Sequence, residues 1–226
     1  MGALKITLLC NAGLALETEE AMLLVDAPNR ESPPFFGLPD EEWRRILERQ
    51  PPYDKVCGFW FTHDHPDHFD RERMEEYVSR WPKTKVFLPN EHTEGGHARM
   101  GPFTMEYSRL DHAPIPDPPP HVVTWIETGE GSVYLAADAA LDVEAHRSFL
   151  RGRRAKAAVW NSMYLSRPDT RQLMSEAAER NFICHMPAQR PDGCGLWRKL
   201  ERNLERFSPE LEHVTVWDAY PTQVDI

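Results

Sequence analysis

The chain has 226 residues and a net charge of −10, from 36 acidic against 26 basic side chains; this length fits one domain over residues 1–226, and the negative excess opposes binding to a polyphosphate backbone. Hydrophobic residues make up 41% and charged residues 27%, a balance that excludes wholesale disorder. No apolar run approaches the roughly 20 residues of a membrane span.

The first apolar runs, residues 4–10, 12–18 and 21–26, are separated by a glycine or an acidic pair and predict an antiparallel meander. The N-terminus enters it without the basic and apolar sections of a secretion signal, so a cytoplasmic protein is expected. Cys10, Cys57, Cys184 and Cys194 form no CxxC pair and read as reduced thiols. A proline-rich passage over 28–39 leads to a helix over 41–49 with Trp43, Ile46 and Leu47 on one face, stopped by Pro51 and Pro52. Loop and helix together are expected to lie over a site.

A strand over 55–61 runs into Thr62-His63-Asp64-His65-Pro66-Asp67-His68, and Pro66 has no donor to continue a ladder, so this polar stretch is a loop at a strand end. Asp70 caps the next helix, marked by Met74, Tyr77, Val78 and Trp81 and ended by Pro82, before a strand over 85–88. Residues 89–120 read as irregular apart from a strand over 103–110, with five prolines between 114 and 120 forming a stiff connector. Strands over 121–127 and 132–137 flank Thr128-Gly129-Glu130-Gly131 as a hairpin, and Asp138 follows directly. The last third alternates: helix 142–150, strand 157–161, helix 168–180, strand 182–185, helix 196–206, strand 213–217. The mixture predicts an α+β fold of sheets covered by helices.

The strongest chemical signal is His63-x-His65-x-Asp67-His68. Neutral imidazoles with a carboxylate suit zinc, iron or manganese, and a loop lets alternate residues converge. Three further donors, His112, Asp138 and His185, each lie in a break after an apolar strand; His92 and His97 compete with His112.

In this order of motifs the chain resembles the metallo-β-lactamase superfamily, over nearly its whole length and including the opening meander that ends in Leu24-Val25-Asp26. The resemblance implies a four-layer αβ/βα sandwich with a site at one edge between two sheets. It also implies two divalent metal ions, zinc with iron or manganese as alternatives: His63, His65 and His112 would hold one, Asp67, His68 and His185 the second, and Asp138 would bridge them. A bridging hydroxide would be the nucleophile, with Asp67 as the catalytic carboxylate that orients water or passes a proton to the leaving group. The chain departs from the family in placing His112 in Leu-Asp-His-Ala-Pro, Ala137 where glycine is common, and Met186-Pro187 after His185.

Asp26 reads as support for a ligand histidine, and Cys184 and Cys194 as core or loop residues. The basic run Arg147, Arg151, Arg153, Arg154 and Lys156 reads as a solvated edge. Tyr164 and Asn161 are candidates to donate to a substrate oxyanion, against a plain core role. The expected activity is hydrolysis of an ester, lactone, thioester or phosphodiester in a small-molecule substrate. A nuclease, a redox diiron protein and a non-catalytic metal-binding protein are the competing classes, the first opposed by net charge.

Overall fold

The computed structural model describes residues 2–187, 190 and 192–226. Strands β1 (Lys5–Leu8), β2 (Leu14–Glu17) and β3 (Met22–Val25) form the antiparallel meander, with Leu14 opposite both Leu8 and Val25. Helix α1 (Asp40–Leu47) precedes β4 (Val56–Trp60), which pairs parallel to β3; α2 (Arg71–Arg80) then crosses over to β5 (Lys85–Phe87), parallel to β4. Asp70 caps α2 by accepting from the Arg73 amide.

The second sheet begins with four antiparallel strands: β6 (Gly95–Met100), β7 (Phe103–Arg109), β8 (Val122–Glu127) and β9 (Ser132–Ala137). Helices α3 (Val143–Leu150), α4 (Pro168–Ala177) and α5 (Leu196–Arg206) then carry the chain between parallel strands β10 (Ala155–Asn161), β11 (Ala178–Cys184) and β12 (Val214–Val216). Finally β13 (Thr222–Asp225) returns to the first sheet beside β1. The strand orders are β13-β1-β2-β3-β4-β5 and β12-β11-β10-β9-β8-β7-β6.

The two-residue period of a strand explains the layering. In β9, Val133 and Leu135 join Ile6, Leu16, Leu23 and Val25 of the first sheet in the space between the sheets. Their alternates Tyr134 and Ala136 face outward onto Phe149, Leu173, Met174 and Trp197 of the helices. In β3, Leu23 and Val25 point inward while Met22 and Leu24 pack with Trp43, Ile46, Met74 and Tyr77 on the other side. Strands buried on both faces lose alternation, which is why β3 reads as one apolar run. Each large side chain buried in this way contributes roughly 1.5–3 kcal/mol. No helix among the described residues is long and apolar enough to cross a membrane.

Three elements differ from the sequence expectation. Strand β6 lies where no element is expected, because Gly95-Gly96 and exposed alternate residues suit only a sheet edge; Gly101, at φ 58°, turns it into β7. Strand β13 is equally polar and owes its place to pairing with β1. Residues 178–180, expected to end a helix, are extended because Ala178 pairs with Ala155, so sheet pairing overrides local propensity.

Strand direction sets the position of the site. β4 runs parallel to β3, and β11 runs parallel to β10 and β9. β7 shares their direction after two antiparallel reversals. The segments that leave the C-terminal ends of β3, β4, β7, β9 and β11 therefore emerge at common sheet edges, where open α/β sheets collect ligands.

Candidate metal centre

The segment after β4 folds back on itself, with the amides of His68 and Phe69 both donating to the His65 carbonyl. Around it the structure brings all seven sequence candidates together as three overlapping groups of donor atoms: His63, His65 and His112; His63, His68 and Asp138; and Asp67, His68 and His185. His92 and His97 lie before and within β6 and join none of these groups.

Asp138 is the hub. Its Oδ2 lies 3.4 Å from His185 Nε2, 3.5 Å from His68 Nε2, 3.8 Å from His112 Nε2 and 4.0 Å from His63 Nε2. Asp67 Oδ2 lies 3.1 Å from His185 Nε2. Donor spacings of this size match the edges of a zinc tetrahedron, about 3.4 Å for bonds of about 2.0–2.1 Å.

The partners behind the rings fix which nitrogen faces the hub. His68 Nδ1 is 2.9 Å from the Asp26 carboxylate and His112 Nδ1 is 2.8 Å from the Ala113 carbonyl; both partners only accept, so both Nδ1 atoms carry the proton. Thr62 donates its amide and its hydroxyl to Asp26, at 2.8 and 2.7 Å, and its oxygen is then free to accept from His63 Nδ1 at 3.0 Å. Asp26 thus holds His68, one of the candidate donors, from behind. The Nε2 lone pairs turn inward, and those of His68 and His112 are buried without a hydrogen-bond partner. Such orphaned acceptors beside a carboxylate are costly unless a cation joins them, so the residues fit a metal.

The electrostatics agree. Burial alone would raise the Asp138 pKa, but His185 and His68 hold it well below the usual carboxylate range. Burial would lower the His68 pKa, yet Asp26 and Asp138 push it well above that of an ordinary histidine. His63, buried and crowded by His68, is pushed well down. Without a bound cation the ionised Asp138 is balanced by a proton taken up on His68, the positive charge that a bound metal would supply in its place.

No family model and no curated protein matches the sequence. Solved structures match along the whole chain. A possible metal-dependent hydrolase from Veillonella parvula DSM 2008 is 14% identical with a TM-score of 0.67, covering 99% of this chain and 100% of that one. An isothiocyanate hydrolase from Delia radicum gut bacteria is 12% identical with a TM-score of 0.63, covering 98% and 99%. CmlA, a diiron β-hydroxylase from Streptomyces venezuelae, is 12% identical with a TM-score of 0.64, covering 99% of this chain and 54% of that one. At these identities the likeness is one of fold, and the layer order of helices, sheet, sheet and helices is the expected αβ/βα sandwich. The chain has the metallo-β-lactamase fold.

Within this metallo-β-lactamase fold, the site edge stores backbone strain. Asp26, Ala137 and His185 end β3, β9 and β11 with φ of 47°, 45° and 62°, a region that costs a residue with a Cβ about 1–2 kcal/mol. The strain aims side chains: Asp26 turns to Thr62 and His68, His185 turns to Asp67, and Ala137 sets the direction of Asp138.

Other expectations are corrected or extended. The polar groups of Tyr164 and Asn161 are engaged within the protein, as the core role has it. The Tyr164 hydroxyl is buried against His146 and the carbonyls of Ala139 and Ala140, and Asn161 donates to the Ala137 carbonyl while accepting from the Met163 amide. Of the proline-rich loop and α1, only the loop reaches the centre, where the Phe35 ring meets His185 edge-on at 4.2 Å; α1 packs on the outer face of the first sheet. Arg147, Arg151, Arg153 and Lys156 pair with surface carboxylates. All four cysteines are free.

Sequence reasoning misses Asn11, Asn29 and His121. Asn11 donates to Asp67 Oδ2 at 3.3 Å and its backbone carbonyl accepts from the His185 amide. Asn29 donates to the carbonyls of Asp26 and Asp67, tying the proline-rich loop to the histidine loop. His121 is buried with neither ring nitrogen partnered, 5.2 Å from His63 between ring centres, and burial pushes its pKa down to about 3. A lone asparagine in a loop carries no recognisable signal, and His121 reads as the start of a strand.

Proposed function

We propose that the chain is a metal-dependent hydrolase acting on an ester, lactone, thioester or phosphodiester of a small molecule, with two divalent cations, zinc in the first instance. The observation that carries the reading is the overlap of the donor groups: one set of three, His63, His65 and His112, and another, Asp67, His68 and His185, are joined by a middle group holding one histidine of each plus Asp138. Cations held by these residues would supply a water of lowered pKa and polarise a carbonyl or phosphoryl oxygen.

The chain's own residues do the rest. Asp138 faces both sets and keeps its charge. Asp26 and the Ala113 carbonyl fix the Nε2 faces of His68 and His112. Asp67 stays ionised, because the hydrogen bond from His185 and the charge of His68 outweigh its burial; anchored also by Asn11, it is the carboxylate that orients the attacking water, accepts the proton this water gives up and passes that proton on to the leaving group. A cavity of about 480 Å³ is lined by Leu9, Phe36, Pro187 and Tyr220 together with the carboxylate residues Glu41, Glu42 and Asp218, and none of the seven donor residues lines it. Phe36 follows the Phe35 that touches His185, and Pro187 follows His185 and Met186, so the cavity adjoins the centre along the chain, and on this ground we assign it to the non-reacting part of a substrate.

The test is elemental analysis of the purified protein together with hydrolysis of a panel of such esters before and after chelation. Two equivalents of metal and an activity that chelation removes and metal restores are expected. Absence of stoichiometric metal refutes the proposal; metal without turnover on any member of the panel leaves the metal-binding reading and removes the hydrolase.

A further inference from the structure

Behind the second sheet lies a chain of polar groups that the metal-ligand reading does not use. Tyr134 in β9, His146 in α3 and Tyr164 in the 3-10 turn after β10 are fully buried among apolar side chains. The Tyr134 hydroxyl lies 2.5 Å from His146 Nδ1, and the Tyr164 hydroxyl 2.7 Å from His146 Nε2. Beyond it, Tyr164 reaches the carbonyls of Ala139 at 3.3 Å and Ala140 at 3.4 Å, and His146 Nε2 itself lies 3.2 Å from the Ala140 carbonyl.

One arrangement of protons satisfies every member. The Ala140 carbonyl only accepts, so Nε2 carries the imidazole proton; Nδ1 then accepts from Tyr134, and Tyr164 accepts from Nε2 while donating to the alanine carbonyls. Burial holds the His146 pKa down at about 4, which keeps the ring neutral and this single tautomer in place. A buried polar chain of this kind is costly compared with apolar packing unless it fixes something.

What it fixes is the turn after β9. Residues 138–140 pair with 111–113: the Ala113 amide donates to the Asp138 carbonyl, the Ala140 amide donates to the Asp111 carbonyl, and His112 bridges Ala139. The same turn begins at Ala137, held at a φ of 45° and gripped by Asn161 on its carbonyl. We infer that Tyr134, His146 and Tyr164 are positioning residues for the metal centre, clamping the strained Ala137–Ala140 turn so that Asp138 and, through the paired segment, His112 stay aimed at the cations. This rests on the metal-binding reading above. It adds a device whose side chains hydrogen-bond to the backbone of the turn and to one another, without touching the donor atom of either ligand they control.

The experiment compares zinc affinity, by competition with a chromophoric chelator, and zinc stoichiometry in the wild type, Tyr164→Phe, His146→Leu and His146→Leu combined with Ala137→Gly, with near-ultraviolet circular dichroism to report folding. Loss of the clamp is expected to weaken zinc binding about tenfold in His146→Leu and less in Tyr164→Phe. Glycine carries no penalty at positive φ, so Ala137→Gly is expected to return most of the affinity in the double variant, a rescue that a general loss of packing would not give. Tyr164→Phe keeps the test alive if His146→Leu does not fold. Wild-type affinity in either folded single variant, or no recovery in the double variant, overturns the inference. A wild type that takes up no zinc instead overturns the hydrolase proposal, and this inference with it.

Discussion

The two halves of the candidate centre are built on opposite principles. The 63–68 loop offers four donors within one short stretch and is held by near neighbours: Thr62, a turn closed on the His65 carbonyl, and Asp26 from the adjoining strand end. The other half is three single residues, His112, Asp138 and His185, delivered from separate strand ends of the second sheet and held by backbone pairing, positive φ and buried side chains from other elements. A dense loop tolerates the loss of one donor because its neighbours remain; a single residue on a strained turn has no substitute. The halves should therefore fail differently.

The widest contrast is between Asp138→Ala and His65→Ala. Asp138 stands within 4.0 Å of donors from both sets, so its loss is expected to weaken both metal equivalents and to lower kcat/KM by more than about a hundredfold. His65 belongs to one donor group only, and its loss is expected to release one equivalent while the other stays. Metal stoichiometry by mass spectrometry of the native protein checks both. Loss of both equivalents in His65→Ala would erase the distinction between the halves.

Acid sharpens the comparison on the second half. His146 titrates at about 4 in the folded chain against 6.5 for a free histidine. Between those values the unfolded chain binds a proton that the folded chain refuses, so stability falls as pH falls through that window, by up to about 3 kcal/mol. His121, down at about 3, acts in the same sense. Urea denaturation of metal-stripped protein from pH 7 to pH 4 is expected to show a shallower dependence of stability on pH in His146→Leu than in the wild type, although its stability at pH 7 is lower. Equal dependence in the two would show that His146 is not buried neutral.

The same division decides what the sequence can show. Four donors in one loop after an apolar strand stand out, as do the opening meander, the capped α2 and the β8–β9 hairpin, because each is written in local periodicity and turn chemistry. Asp138 and His185 are visible only as polar residues ending apolar runs. Asn11, Asn29 and His146 are not visible as site residues at all, since what matters about each is a hydrogen bond to a partner 56, 38 and 18 residues away along the chain. Strands β6 and β13 escape notice for a related reason: polar edge strands are specified by their partners, Phe103–Arg109 and Lys5–Leu8, more than by their own residues.

A milder substitution probes the support of the loop. Asp26→Asn keeps the size of the side chain but removes the charge facing His68 and leaves an amide nitrogen unable to accept from Thr62 or from His68 Nδ1. Metal affinity is expected to fall about 10–100-fold, with the set containing His68 affected more than the set containing His65. Cobalt substitution reads this directly, because the visible absorption of each cobalt ion reports its own ligands; equal weakening of both would make Asp26 a general scaffold residue and not a partner of His68.

The smallest effect is expected outside both halves. Phe36, next in sequence to the Phe35 that meets His185, lines the cavity of about 480 Å³ assigned to the substrate's non-reacting part and packs edge-on against Tyr220 at 4.4 Å, without contributing a donor atom. Removing its ring in Phe36→Ala takes away apolar surface that a bound substrate would cover while leaving the ligands untouched, so KM should rise several-fold with kcat and metal content nearly constant. The size of the rise should grow with the apolar bulk of the substrate's non-reacting group, because each methylene covered contributes about 0.8 kcal/mol. A drop in kcat with unchanged KM would mean that Phe36 acts through its neighbour Phe35 on His185, which would move the proline-rich loop from the cavity wall into the support of the second half.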